Sequence, residues 1–144
     1  MTATTTFTAE TATQSEDRPR RVRSLWIAGA TAGVVASIAT FATAAVADAA
    51  GVPLEVGGQS IPLIGFAQVT LVAAIIGTAL AVVSARRATR PRRAFVVTTV
   101  ALTSASIVPD VLADATTATK LALAFTHVVA AAIVIPVLAS RLRN

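Results

Sequence analysis

Two ionisable side chains, Asp110 and His127, lie in apolar segments where charge is rarely found. Asp110 ends an uncharged run that begins after Arg93, and His127, the single histidine, lies in the uncharged run between Lys120 and Arg141. A carboxylate that meets an imidazole can hold a proton with it, because the carboxylate favours the imidazolium form while loss of water opposes it. Ionisable groups inside a bilayer usually pair within the protein, so we predict a contact between these two side chains.

Depth estimates place both side chains at nearly the same level of a membrane. At a rise of about 1.5 Å per residue, Asp110 lies about 25 Å from Arg93, and His127 lies about 21 Å from Arg141. On the same scale Gln68 lies about 27 Å from its own basic flank. Three of the most polar side chains near the apolar segments are therefore expected at one level.

This polar cluster allows a functional and a structural interpretation. As a proton or cation site it would comprise Asp110, His127, Gln68, Asp114 and Asp48. In the structural interpretation Asp110 and Asp114 mark the water interface where their helix ends, and His127 makes one interhelical hydrogen bond. The sequence does not decide whether Asp110 and His127 form a functional site or only a structural contact.

The residue types indicate little other chemistry. The chain has no cysteine, which excludes disulfides, thiolate metal sites and thiol catalysis. One histidine cannot make a His-rich zinc site, although with two or three aspartates it could hold a metal weakly. A catalytic arrangement of Ser106, His127 and Asp110 is available by composition, but Ser106 and Asp110 lie one turn apart on one helix, so its specificity is low. We expect no enzymatic activity, no cofactor and no dedicated metal site.

The uncharged runs that hold these side chains predict four membrane-spanning helices. Each run is close to or above the roughly 17 to 25 apolar residues that cross a bilayer. The third run is the shortest, because Asp110 interrupts it. With 55% hydrophobic and 13% charged residues, the chain has too little charge to coat a soluble domain. We therefore predict an all-α fold: a four-helix transmembrane bundle with up-down topology.

Glycines, prolines and basic turns set the expected helix boundaries. Helices are predicted at about residues 24–47, 63–85, 94–113 and 119–140, within a membrane domain of residues 24–142. Pro109 need not end the third helix, because neighbouring helices can satisfy freed backbone groups in a membrane. Residues 1–17 are polar and Thr-rich, which predicts a disordered tail; with the basic flank they form a cytoplasmic segment, residues 1–23.

Basic residues are unevenly distributed between the two ends of the predicted bundle. Eleven of the twelve are arginines that flank one set of helix ends, and only Lys120 lies at the other. Cytoplasmic loops carry such an excess. Both termini are therefore expected to be cytoplasmic, with loops 48–62 and 110–120 outside, in a multi-pass protein of the cytoplasmic (inner) membrane. Despite a net charge of +5, arginine clusters beside apolar spans favour membrane orientation over nucleic acid binding.

Small residues on the first helix predict close helix packing. Gly29 and Gly33 have a spacing of four, and Ser37, Thr40 and Ala44 continue the same face. Such a face lets two helix backbones approach each other. We expect it to pack within the bundle in preference to forming a dimer. Trp26, beside the first basic flank, is expected to lie at the membrane interface.

Several stretches of the chain together resemble a known family. They are GVPLEVGGQSIPLIGFAQVTLVAAIIGTALA (51–81), RRATRPRRAF (86–95), SIVPD (106–110) and THVVAAAIVIPVLASRL (126–142). As a set they resemble an uncharacterised family of small four-span actinobacterial membrane proteins, catalogued as a domain of unknown function. The resemblance implies a four-span inner membrane protein. It brings no reaction, ligand or functional residues.

The sequence leaves three functional hypotheses open. The first is an accessory or interaction protein in the lipid bilayer, whose membrane protein partner or second copy would use loop 48–62. The second is a small transporter or channel subunit with an outward-facing proton or cation site at Asp110 and His127. The third is a membrane-embedded enzyme. None of them requires a cofactor or nucleic acid.

Overall fold

Four long helices make up almost the whole molecule. The computed structural model describes residues 5–143, with side chains from Arg20 to Arg143. The elements are α1 (Thr5–Ala49), β1 (Glu55–Val56), β2 (Gln59–Ser60), α2 (Leu63–Arg87), α3 (Pro91–Leu112) and α4 (Thr117–Ser140). All four helices contain a segment long and apolar enough to cross a membrane; in α1 it is Arg20–Ala49. The predicted four-helix transmembrane fold is confirmed.

The helix boundaries follow the predicted ones closely after the first helix. Pro109 lies inside α3 and Pro136 inside α4, so neither proline ends its helix. α1 begins at Thr5, well before the expected start near residue 24, and takes in most of the segment for which a disordered tail is predicted. The first four residues of that tail lie outside the described residues. The division of the chain into a tail and a membrane domain stays a prediction.

The helices pack as an up-down bundle in which α3 is the least buried member. α1 packs mainly against α2 and α4, and α3 packs against α4 and α2. Only Phe95 and Thr99 of α3 are buried. We call the end that carries the α1–α2 and α3–α4 connections the loop end, and the opposite end, where the arginines lie, the arginine end.

The glycines of α1 lie directly against α2. An ideal Cβ placed on Gly29 would be 2.0 Å from Oγ1 of Thr78, and one on Gly33 would be 2.9 Å from Cβ of Ala74. Carbon atoms in good contact are about 3.5 to 4.0 Å apart. The two helices therefore approach so closely that no side chain fits at either glycine. The small-residue face of α1 packs within the bundle, as predicted.

Apolar side chains from all four helices fill the arginine half of the bundle. Leu25, Phe95 and Leu138 are fully buried, and Ala81 and Val82 of α2 belong to the same cluster. Close-packed interiors leave few voids larger than a water molecule. Packed apolar side chains therefore occupy this half of the bundle.

The α1–α2 connection folds into a small hairpin that covers the loop end. β1 and β2 pair antiparallel, with Val56 opposite Gln59, around Gly57 and Gly58, which both have positive φ. Two-residue hairpin turns of this kind favour glycine. Leu54, just before β1, is buried with Ala44 and Phe66. The sequence predicts only a loop between the first two helices here.

Hydrogen bonds join this hairpin to the α3–α4 connection. The backbone N–H of Gly57 donates to the carbonyl of Asp114 over 2.8 Å, and the Thr119 hydroxyl donates to the carbonyl of Pro53. We call residues 50–62 and 113–116 together the cap. Because these bonds join the hairpin to Asp114 and to the first turn of α4, and because Leu54 is buried, the cap is an ordered structure at the loop end.

Candidate functional site

The structure brings Asp110 and His127 into contact. Nδ1 of His127 lies 3.1 Å from Oδ2 of Asp110, and their side chains are 32% and 16% exposed. Both therefore lie largely within the protein, at the contact between α3 and α4 near the loop end. The predicted contact is present.

Local structure on both helices positions the pair. α3 continues through Pro109, so Asp110 is held in a helical turn. α4 begins at a capped N-terminus, where the Thr116 hydroxyl accepts the N–H of Thr119 over 3.2 Å. Such a cap satisfies one of the free N–H groups of the first turn. Side chains on a helix lean toward its N-terminus; in antiparallel helices Asp110 and His127 therefore lean toward each other.

Lys120 ties the end of α3 to α4 and places a positive charge at the last turn of α3. Its Nζ donates to the carbonyl of Val111 over 2.9 Å. Carbonyls in the last turn of a helix have no partner within it, and a cation is favourable there. Lys120 therefore stabilises the turn of α3 that holds Asp110. In the sequence Lys120 indicates only orientation, and its hydrogen bond to Val111 has no signature there.

One ring nitrogen of His127, Nδ1, lies close to two possible acceptors. Nδ1 lies 3.0 Å from the carbonyl of Leu123, one turn earlier on α4, as well as 3.1 Å from Asp110. With an ionised carboxylate both neighbours accept, so Nδ1 carries the hydrogen. One N–H cannot align with both acceptors. Among the described residues Oδ2 of Asp110 is shielded from solvent and has no well-directed hydrogen bond.

This arrangement can either bind a proton or serve only as a structural contact between α3 and α4. Buried polar groups are normally hydrogen-bonded, and an exception calls for a physical reason. A proton on Oδ2 would let this oxygen donate to Nδ1 of His127 in the tautomer that carries its hydrogen on Nε2. The geometry equally allows the imidazole to hold α3 against α4 without any exchange. The unsatisfied oxygen is the one feature that distinguishes this contact from ordinary packing.

The other three residues of the predicted polar site do not join the pair. Asp48 and Gln68 are exposed, and Asp114 lines a shallow hollow of about 390 Å³ in the cap, together with Glu55. The structure records no hydrogen bond or ion pair between any of these three side chains and the pair. Asp114 follows the end of α3, so its side chain belongs to the cap. The five-residue site therefore stays a prediction, of which the described residues show only the contact between Asp110 and His127.

Metal binding and catalysis receive no support from the geometry. No group of three or more His, Cys, Asp or Glu side chains converges among the described residues. Ser106 donates its hydroxyl hydrogen to the carbonyl of Thr103 over 2.7 Å, as Thr99 does to the carbonyl of Phe95. Hydroxyls in apolar helices commonly satisfy themselves in this way. Ser106 is thus bonded to its own helix.

A second interhelical polar contact was not anticipated. The hydroxyls of Thr40 on α1 and Thr70 on α2 lie 2.9 Å apart, and both residues are buried. Such bonds contribute to helix association in membranes. The sequence predicts Thr40 only as a small residue on the packing face of α1. No sequence spacing links the two threonines, because the register of α1 against α2 is a tertiary property.

Comparison with known proteins places the four spans within a family model. A family model described as a family of unknown function, DUF6069, matches residues 20–144. No curated protein and no solved structure matches the chain. The matched range covers all four apolar spans, the cap and the pair.

Proposed function

We propose that this chain, which belongs to the DUF6069 family, is an accessory protein of the cytoplasmic membrane that acts by binding another membrane protein or a second copy of itself. The observation that carries the proposal is the closed form of the bundle. Leu25, Phe95 and Leu138 fill the arginine half, and Leu54 closes the loop half. Transport through one copy needs a path along its axis, whereas an interaction protein needs only an ordered surface.

The cap supplies such a surface. It is joined by the Gly57 to Asp114 hydrogen bond, and its hairpin exposes Glu55, Gln59 and Ser60 to solvent. An ordered surface loses little conformational entropy when it binds, which favours affinity. The partner we infer contacts this hairpin outside the membrane. The proposal includes no enzymatic activity and no cofactor.

Site-specific photocrosslinking tests the proposed interaction. A photoreactive amino acid at Gln59, on the exposed hairpin, is expected to give a discrete adduct in cells, because the partner covers this position. The same amino acid at Ser104, exposed on α3 within the span, serves as the control and is expected to give none. An adduct of twice the 14.6 kDa chain mass would identify a second copy as the partner.

A second candidate is the transporter or channel subunit, favoured by the unsatisfied Oδ2 of Asp110. If it is correct, the purified protein in liposomes will carry protons or cations, and Asp110→Asn will abolish the flux while Asp114→Asn, in the cap, leaves it. That outcome, with no adduct at Gln59, would contradict the accessory role. We expect instead that liposomes with the protein show the same flux as liposomes without it.

The proposed orientation places both termini in the cytoplasm. Its support is the charge distribution: ten exposed arginines at the arginine end against Lys120 at the loop end. Short loops rich in arginine stay on the cytoplasmic side. We also propose that the chain has an actinobacterial origin. The motif resemblance and the arginine-rich, alanine-rich composition support this.

Cysteine labelling tests this orientation directly, because the natural chain has no cysteine. Ser60→Cys in the hairpin is expected to react with a membrane-impermeant maleimide in intact cells. Thr89→Cys, in the α2–α3 turn, is expected to react only after lysis. Both positions are exposed, so accessibility to the reagent reports the side of the membrane. The reverse labelling pattern would refute the orientation.

A further inference from the structure

We propose that the arginine end binds the phosphate groups of anionic phospholipids. Its binding surface, which we call the arginine rim, consists of Arg20, Arg21, Arg23, Arg86, Arg87, Arg90, Arg92, Arg93, Arg141 and Arg143. Every one of these residues is exposed. This role goes beyond the proposed interaction at the cap, which lies at the opposite end of the bundle.

Packing gathers the rim from three separate parts of the chain. Leu25 of α1, Phe95 of α3 and Leu142 after α4 belong to one buried cluster at this end. Nη1 of Arg141 also donates to Oγ of Ser24 over 3.4 Å, which places this guanidinium beside the start of the α1 span. The arginines therefore surround one end of a single compact bundle.

The rim has no carboxylate partners within the described side chains. The four described carboxylates, Asp48, Glu55, Asp110 and Asp114, all lie at the loop end, and the recorded ion pair joins Asp110 to His127. Ten like charges at one end repel one another. An external anion would relieve this repulsion.

Helix stability does not explain the position of several of these arginines. Arg92 and Arg93 lie in the first turn of α3, where positive charge opposes the helix dipole. Arg86 and Arg87, in the last turn of α2, have the favourable sign. The arginines around the α2–α3 turn thus include some that stabilise a helix end and some that oppose its dipole. Their shared positive charge is better explained by an external anion than by stabilisation of the helix ends.

The chemistry and the level of the rim favour lipid phosphate as the occupant. Arginine binds phosphate with two parallel N–H bonds, which lysine cannot do, and every basic residue of the rim is arginine. The rim directly borders the apolar spans, where lipid phosphates lie. Trp26, 45% exposed one turn from Arg23, matches the interfacial position of tryptophan. Clusters of basic residues beside a span are typical of binding to anionic lipid.

Trp26 provides the measurement, because it is the only tryptophan of the chain. The full-length protein is placed in bilayers of phosphatidylcholine that contain a fixed share of brominated phosphatidylglycerol or brominated phosphatidylcholine. Bromine quenches tryptophan on contact, so the ratio of quenching gives the relative affinity of the two lipids near Trp26. We expect a preference of about fivefold for the anionic lipid, as one arginine near a charged surface would give.

Substitution of the rim beside Trp26 separates specific binding from bulk effects. In the glutamine variant, Arg20, Arg23, Arg141 and Arg143 are all replaced by glutamine; the preference is expected to fall to about one, since the local positive charge is lost. The matched variant with lysine at the same positions keeps the charge and is expected to keep most of the preference. Unchanged quenching by brominated phosphatidylcholine shows that each variant is folded and inserted.

Three outcomes would overturn the proposal. Equal quenching by the two lipids in the natural protein would exclude anionic lipid at the rim. A full preference in the glutamine variant would assign the binding to other residues. Loss of the preference when inorganic phosphate or a short oligonucleotide is added at equal phosphate concentration would identify a soluble anion or nucleic acid as the occupant.

Discussion

Replacing Gly29 by valine is expected to separate α1 from α2 and to lower the free energy of unfolding by about 3 kcal/mol, the upper part of the range for overpacked cores. The reason is steric: even a Cβ at this position would lie 2.0 Å from Oγ1 of Thr78. The backbones would have to move apart, which would also strain the buried Thr40 to Thr70 hydrogen bond. The change is measured by denaturant titration of the protein in micelles.

The neighbouring residue provides the control. Ala30→Val introduces the same side chain one position along α1 on an exposed surface, where surface substitutions usually change stability by less than about 0.5 kcal/mol. Gly29→Ala combined with Thr78→Ala is expected to recover part of the loss that Gly29→Ala causes alone, because Oγ1 and Cγ2 of Thr78 are removed. Equal destabilisation by Gly29→Val and Ala30→Val would mean that the observed close approach is wrong.

Truncation of either member of the Asp110 to His127 pair is expected to cost about 1 to 3 kcal/mol, the usual cost of leaving a buried polar group without a partner. In a double-mutant cycle of Asp110→Ala and His127→Ala, the coupling energy should be about 1 to 2 kcal/mol, the upper part of the range measured for polar contacts in membranes. The physical reason is the 3.1 Å contact in a largely buried environment.

A second cycle tests whether that coupling belongs to the contact. Asp114→Ala removes a carboxylate four residues away that lines the hollow of the cap instead of facing His127. Its effect should add to that of His127→Ala, because distant residues without shared partners are additive. Coupling of equal size in both cycles would show a general charge effect at the loop end and would remove the pair from consideration as a site.

These two predictions concern different halves of the molecule and different questions about function. The α1–α2 contact tests whether the bundle is the closed structure from which the accessory role is inferred. The pair tests whether the second candidate has a site at all. A tight α1–α2 contact with no coupling at the pair would favour the accessory role. Strong coupling would leave both functions possible, and the flux measurement would then decide between them.

The contact between Asp110 and His127 could be predicted because depth and chain order both bring the two residues close together. Charge-free lengths place both side chains at one level on consecutive helices, and consecutive helices in a short-looped bundle are neighbours. Among the described residues the structure records no hydrogen bond or ion pair of Gln68, Asp114 or Asp48 with the pair, and the sequence could not predict this for a related reason. Depth says nothing about the direction in which a side chain points around its helix or about the path of a loop.

The cap could not be predicted from local patterns. Gly57 and Gly58 indicate a turn, but the hairpin strands have only two residues each, too few for a periodic pattern. Their order comes from Leu54, which is buried with Ala44 and Phe66, and from bonds to Asp114 and Thr119. These partners lie about sixty residues later in the chain, so no local sequence window contains both sides of the contact.

By itself, the sequence determined the class of the protein: four spans, their approximate ends and the unequal charge of the two ends, because span length and hydropathy are sums over neighbouring residues. Only the tertiary structure decided which faces meet. It placed Gly29 against Thr78, closed the loop end with Leu54 and left one oxygen of Asp110 without a directed hydrogen bond. Those outcomes depend on the rotation and register of whole helices against one another, which packing sets and no single segment encodes.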